Sequence, residues 1–254
     1  MLKFQSFLSG SSGNATFVTN DRANVLCDCG ANGKYIENCF LRLGISPDKL
    51  DAIFITHEHT DHISGAGVIS RRYDVPIYAS KGTWSAMESV IGKIADKNKR
   101  VISPEKNEKI ADMEISAFNI PHDAKEPFGY SFISGSKKFT IATDMGYVTD
   151  EVLENLSGSN FCIIEANHDM DMLKKGSYPF YLKKRILGDS GHLSNDAAAL
   201  LCSTLAKKGT KSIWLGHLSK ENNISELAYN TVHEALLKEN EETELCVLPR
   251  YWIK

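Results

Sequence analysis

Apolar positions along the chain gather into short runs. Runs of strand character recur from end to end, at residues 2–8, 16–19, 25–27, 53–56, 77–79, 113–120, 130–133, 139–143, 161–164, 213–215 and 245–248. Between them, residues 33–43, 83–94, 194–207 and 225–237 carry apolar side chains at helical spacing. Ser194 stands where an N-cap belongs, ahead of an Ala-Ala-Ala-Leu-Leu body. Within each half the strands come first and mostly consecutively, and the helices follow. No linker, low-complexity segment or internal repeat marks a boundary. The pattern predicts an α/β layered sandwich, two sheets packed together with helices outside, in one domain over residues 1–254.

Composition changes this picture little. With 42% hydrophobic and 24% charged residues the chain reads as an ordinary soluble globular protein. A net charge of -3 gives no global pull toward nucleic acid or membrane, although local patches remain free to act. The six cysteines (Cys27, Cys29, Cys39, Cys162, Cys202, Cys246) form no C-x-x-C pair and lie mostly in apolar runs, as buried free thiols do in a reducing compartment. The Cys27-Asp28-Cys29 spacing is wrong for a zinc finger and reads as a buried strand end. The opening residues are too polar for a signal peptide, and no apolar run approaches a membrane span. A cytoplasmic protein with no membrane partner and no obligate protein partner is expected.

The densest chemistry is His57-Glu58-His59-Thr60-Asp61-His62, directly after the strand-like run at 51–56. In an extended segment residues two apart point the same way, so His57 and His59 can hold one metal ion. Asp61 and His62 fall beyond the turn and face a neighbouring position. Three imidazoles and a carboxylate in six residues are hard to explain as core or surface. A pair of metal ions needs more donors, and three polar residues stand at the ends of apolar strands: His122, Asp144 and His217. Alone, His122 fits an ordinary loop histidine and Asp144 a helix N-cap. Asp28 ends another strand and is expected to orient a ligand loop from behind. The loop Ser9-Gly10-Ser11-Ser12-Gly13-Asn14 reads either as a plain hairpin turn or, through Ser11 and Ser12, as a place where a phosphate approaches backbone amides.

The HEHTDH stretch, the later histidine, the strand-end Asp144 and Gly216-His217 resemble the metallo-β-lactamase superfamily along essentially the whole chain. That resemblance implies a four-layer αββα sandwich with two metal ions at one edge. It implies His57, His59 and His122 around the first ion, Asp61, His62 and His217 around the second, and Asp144 bridging. The stretches at 9–14, 121–130, 142–146, 165–169, 178–186, 191–196 and 216–223 resemble its YycJ/WalJ branch, which implies a DNA exonuclease of the 5′-to-3′ kind.

The donors can also be read without the family. Five imidazoles and two carboxylates around two divalent cations leave a formal charge of about +2, which attracts an anionic phosphodiester. Two such ions generate hydroxide at neutral pH and stabilise attacking and leaving oxygens, Asp61 lying beside the attacking water. With no cysteine at a ligand position, nitrogen and oxygen donors suit Zn²⁺ and also Mn²⁺. His192, just before the helix at Ser194, is the candidate general acid, as a matching histidine is in RNase Z, which this region resembles. Glu165 is its candidate orienting carboxylate. The alternative is a helix cap and a buried ion-pair partner. His168 and Asn222 are candidates to touch substrate, with Asn223 beside them, whereas His233 sits mid-helix as a structural residue. Lys174, Lys175, Lys183, Lys184 and Arg185 flank Tyr178, Phe180 and Tyr181, a mixture that suits phosphates and unpaired bases. This segment is too short for a large cap, so an open site is expected. The reading that follows is a dinuclear nuclease acting on DNA. Its rivals are an ester or thioester hydrolase on the same fold and a non-catalytic nucleic-acid-binding module.

Overall fold

Two sheets, each built in strict chain order, divide the protein. The structure, a computed structural model, describes residues 1–239 and 243–252. The first half runs β1 (Lys3–Leu8), β2 (Ala15–Thr19), β3 (Asn24–Cys27), α1 (Gly33–Arg42), β4 (Ala52–Phe54), α2 (Thr60–Ile63), α3 (Ala66–Tyr73), β5 (Ile77–Ala79), α4 (Lys81–Ile91) and β6 (Lys99–Val101). Its strands lie side by side in that order, antiparallel from β1 to β3 and parallel from β3 to β6.

The second half repeats the plan. It runs β7 (Glu108–Ile110), β8 (Met113–Asn119), β9 (Phe128–Ser134), β10 (Lys137–Ala142), α5 (Asp150–Leu156), β11 (Phe161–Glu165), α6 (Met170–Lys175), α7 (Phe180–Ile186), α8 (Asn195–Lys207), β12 (Ser212–Gly216), α9 (Ser225–Lys238) and β13 (Glu244–Val247). Strands β7 to β10 form an antiparallel meander, and β10 to β13 continue in parallel.

This corrects the expected order of strands first and helices after. Parallel neighbours need a crossover, so helices alternate with strands wherever the sheets turn parallel. The side-chain period of two then sorts each strand between layers. On β4, Ile53 faces α1, α3 and α4 beside Ile36, Phe40, Ile69 and Met87. Its neighbours Ala52 and Phe54 face the second sheet beside Tyr130, Phe132 and Phe139. On β11, Cys162 and Ile164 pack under α8 and α9 with Leu205 and Val232, while Ile163 points between the sheets. The result is the four-layer αββα sandwich.

Local chemistry starts the helices at the right places. The Ser194 side chain accepts from the Ala197 amide, as its position predicts, and Asn32, Ser80, Thr149 and Asp169 cap α1, α4, α5 and α6 in the same way. Cys27, Cys29, Cys39, Cys162 and Cys202 are buried free thiols, and Cys246 is half-buried. Among the described residues no helix is long and apolar enough to cross a membrane.

Candidate metal centre

The ends of β3, β4, β8, β10, β11 and β12 meet at one edge of the sandwich, so residues far apart in sequence share one site. Asp28, Asp144 and His217 leave β3, β10 and β12 in the left-handed region, with φ of 59°, 60° and 52°. For non-glycine residues that conformation costs about 1–3 kcal/mol each and persists where the surroundings impose it. Here they do: the Asp28 amide donates to Phe54 O at 2.8 Å, and the His217 amide to Ser9 Oγ at 2.9 Å. The His217 carbonyl accepts from Asn167 Nδ2 at 3.0 Å.

The seven expected ligands converge. His57, His59 and His122 bring their donor atoms within 4.8 Å of one another, and so do Asp61, His62 and His217. Asp144 lies against both sets. Its Oδ2 is 3.5 Å from His62 Nε2, and its Oδ1 is 3.4 Å from His217 Nε2 and 3.9 Å from His122 Nε2.

Outer partners fix which nitrogen each ring presents. The His62 Nδ1–H donates to Asp28 Oδ2 at 2.8 Å. Thr56 Oγ1 lies 3.0 Å from Asp28 Oδ2 and from His57 Nδ1; it gives its only proton to the carboxylate and therefore accepts from the imidazole. His122 Nδ1 lies 3.2 Å from Gly191 O, and His217 Nδ1 lies 3.3 Å from Glu165 Oε2. These four rings therefore turn Nε2 inward, the arrangement that carboxylates and carbonyls impose on metal-binding histidines. His59 is the exception: its Nδ1 points in, 3.0 Å from His57 Nε2 and 3.3 Å from His122 Nε2.

Two buried polar atoms at the centre, Asp144 Oδ2 and His217 Nε2, have no hydrogen-bonding partner among the described residues. Buried groups of this kind are normally satisfied, so the pair calls for something other than protein. Charge points the same way. Burial disfavours the charged form of His62, yet Asp28, Asp144 and Asp61 outweigh it and lift the ring to about 9. A cluster that holds extra positive charge this firmly suits a divalent metal ion, and its imidazole and carboxylate donors fit one.

Beside the ligands, a cleft of about 330 Å³ opens between Ser11, His59, Asp61, Asp144, Arg185, His192 and His217. His192 Nδ1 lies 3.0 Å from Glu165 Oε2, the oxygen that His217 also contacts. Glu165 Oε1 accepts from the amides of Met145 at 2.7 Å and Leu193 at 3.0 Å. Burial opposes the Glu165 carboxylate, but His192 and His217 beside it hold it well below the usual range, so it stays ionised.

Several expected substrate contacts lie elsewhere. His168 and Asn222 are each 1% exposed and are not among the residues that line the cleft. Asn223 is buried too, bonded to Asn195 and to Ala166 O. Ser12 is exposed outside the cleft, with Tyr251 Oη donating to it. Lys183 and Lys184 line a different cavity, and only Arg185 of that basic run reaches the cleft. The reason is helical: α7 turns about 100° per residue, which carries Arg185 away from the face that Lys183 and Lys184 present to that cavity. His233 stacks on Tyr229 at 5.2 Å, in keeping with a structural residue.

Sequence reasoning missed Asn14, Thr56 and Asp123. Asn14 Nδ2 sits 3.0 Å from His62 Nε2 and 3.4 Å from Asp61 Oδ2. Asp123 grips the Arg185 guanidinium with both carboxylate oxygens. The only signals available were Asn14's place in the Ser-Gly loop and Asp123's place after His122.

Over residues 23–217 the chain matches the family described as the beta-lactamase superfamily domain. The chain belongs to the β-lactamase superfamily. Within this superfamily it is 41% identical over 235 residues to the exodeoxyribonuclease YycJ of Bacillus anthracis, covering 92% of this chain and 89% of that protein. It is 43% identical over 233 residues to the exodeoxyribonuclease WalJ of Streptococcus pneumoniae, covering 91% of this chain and 86% of that one. The YycJ/WalJ branch is therefore its place in the superfamily. Among solved superfamily structures, YhfI of Bacillus subtilis superposes with a TM-score of 0.72 at 16% identity, covering 99% of this chain and 98% of that one. The short form of human tRNase Z gives 0.65 at 17%, with the same coverage of both chains. At such identities these likenesses show the shared fold alone.

Proposed function

We propose that this chain is a metal-dependent phosphodiesterase that degrades DNA from a strand end, in the 5′-to-3′ direction, holding two divalent ions, Zn²⁺ or Mn²⁺. The observation that carries the proposal is the His192–Glu165 pair, whose imidazole lines the cleft together with Arg185. An ester or thioester needs neither a guanidinium for an anion nor a positioned imidazole for a poor leaving group. The two curated relatives, both named exodeoxyribonucleases, supply the nucleic acid.

His57, His59 and His122 would hold one ion and Asp61, His62 and His217 the other, with Asp144 between them. Ions so held supply water activation and neutralisation of charge on a phosphate. The chain supplies the rest. Arg185, oriented by the two oxygens of Asp123, presents a planar fork of donors to a non-bridging phosphate oxygen. His192 delivers a proton to the departing oxygen from its free Nε2. Glu165, ionised and anchored by two amides, holds the ring's Nδ1 and stabilises the imidazolium before transfer.

The test is metal-loaded protein incubated with end-labelled single- and double-stranded DNA, RNA and bis(p-nitrophenyl) phosphate, with His57→Ala as the metal-site control. DNA cleavage from one end is expected, and His192→Ala should lower kcat about 100-fold or more while bound metal stays constant. Robust ester hydrolysis with no nucleic acid cut would overturn the reading. Full activity in the His192 variant would remove that residue as the acid.

A further inference from the structure

A groove of about 700 Å³, larger than the cleft at the ligand cluster, lies beside that cleft between α6 and α7. That volume is in the range of pockets that enclose whole small ligands. Its floor is the buried Leu173, and its walls include the half-buried Tyr178 and the exposed Leu187 and Phe180. Phe180 is 81% exposed, an unusual position for a ring with no polar atom. Cations close the groove. Lys174 and Lys184 are exposed on its rim, and Lys183 spans it, donating to Lys174 O at 2.8 Å and to Gly176 O at 2.7 Å.

Aromatic faces among ammonium groups complement one kind of ligand above others: a polyanion that carries flat, apolar faces of its own. A duplex hides those faces in its stack, whereas a single strand offers them. The groove is also joined to the cleft by one short helix. Lys184 turns into the groove and the next residue, Arg185, turns into the cleft.

We infer that the α6–α7 groove holds the unpaired bases of the substrate strand, stacked on Phe180 and Tyr178, while a phosphate of the same strand lies at Arg185. The inference rests on the nuclease reading and adds to it a preference for single-stranded ends, with registration of the strand set at a distance from the reacting phosphate.

The experiment uses the full, metal-loaded chain with Phe180→Ala, and with Phe180→Trp to restore a stacking face. An exposed side chain on a surface helix can be removed without loss of fold. The probes are a single-stranded oligonucleotide carrying 2-aminopurine near its end, the same strand with abasic sites there, and bis(p-nitrophenyl) phosphate, which is too small to span cleft and groove. Stacking quenches 2-aminopurine in the wild type. Phe180→Ala should abolish the quenching and raise KM for the oligonucleotide about tenfold, with the small diester hydrolysed as before and Phe180→Trp close to wild type. The abasic strand should be insensitive to the substitution. An unchanged KM, or equal weakening of normal and abasic strands, would overturn the inference while leaving the nuclease reading intact. So would self-association that depends on Phe180, because the face would then belong to a second copy of the chain. Failure of the wild type to cut any DNA would overturn both.

Discussion

His168 sits in the interior with neither ring nitrogen hydrogen-bonded to any of the described residues. Burial is the main reason its ring is pushed down from the usual 6.5 to about 4; His192 adds to the effect, while Glu165, Asp169 and Asp196 oppose it. Its charged form is therefore favoured by unfolding. Between pH 6.5 and 4 the unfolded chain binds a proton there that the folded chain refuses, so stability is complete above 6.5 and declines as the pH falls toward 4. The loss reaches about 3 kcal/mol at the acid end of that window. Urea midpoints at steps from pH 7 to 4 should show a shallower decline for His168→Gln than for the wild type, and equal declines would remove His168 as a source. The same residue shows where sequence reading stops at this scale. His57, His59, Asp61, His62, His122, Asp144 and His217 were legible because each is a donor type at a strand end or in a dense motif. His168 and Asn222 looked similar in the sequence but are covered by packing that only the assembled fold defines. Asn14, Thr56 and Asp123 escaped for the converse reason: an amide, a hydroxyl and a lone carboxylate acquire roles only through partners in other segments.

At the scale of elements, the long apolar strands and the four helices with a clear apolar face stood out in the pattern. Strands β6 and β7 did not, because they are three residues each and read Lys-Arg-Val and Glu-Lys-Ile. Edge strands are commonly short and charged, which discourages pairing with other chains and erases the signal as well. Helices α2, α3, α5, α6 and α7 are four to eight residues long, too few for a period to declare itself. What holds the site in shape is the crossing of three loops. The Asn14 amide donates to Asp61 O and the Gly30 amide to Asn14 O, each at 2.8 Å. A Cβ on Gly30 would lie 1.7 Å from Asp61 O and 2.6 Å from Asn14 N, both backbone atoms that cannot rotate away. Gly30→Ala should therefore separate the loop after β3 from the turn into α2, lowering stability by about 1–3 kcal/mol. It should also displace Asp61 and His62 and weaken metal retention in a competitive chelator titration. Wild-type retention in a folded Gly30→Ala protein would show that the ligand loop is positioned from elsewhere.

Across the whole molecule, the ligand cluster joins two halves that otherwise meet through the apolar layer between the sheets. Asp61, His57, His59 and His62 follow β4 of the first sheet, whereas His122, Asp144 and His217 follow β8, β10 and β12 of the second. Each three-donor set takes members from both halves, so an ion in either position crosslinks them. The unfolded chain cannot hold the seven donors at that spacing, and binding free energy becomes folding free energy. With free ion at about a thousandfold over its dissociation constant the stabilisation is about 4 kcal/mol. For a chain of this length that corresponds to a rise in Tm on the order of 10 °C. Thermal melts followed by circular dichroism after chelation and after reloading with Zn²⁺ or Mn²⁺ should differ by that amount. The increment should disappear both in His59→Ala, which removes a donor from the first half, and in His217→Ala, which removes one from the second. If only one of the two substitutions abolished it, the ions would be held by a single half, and the crosslink between sheets would have to be abandoned.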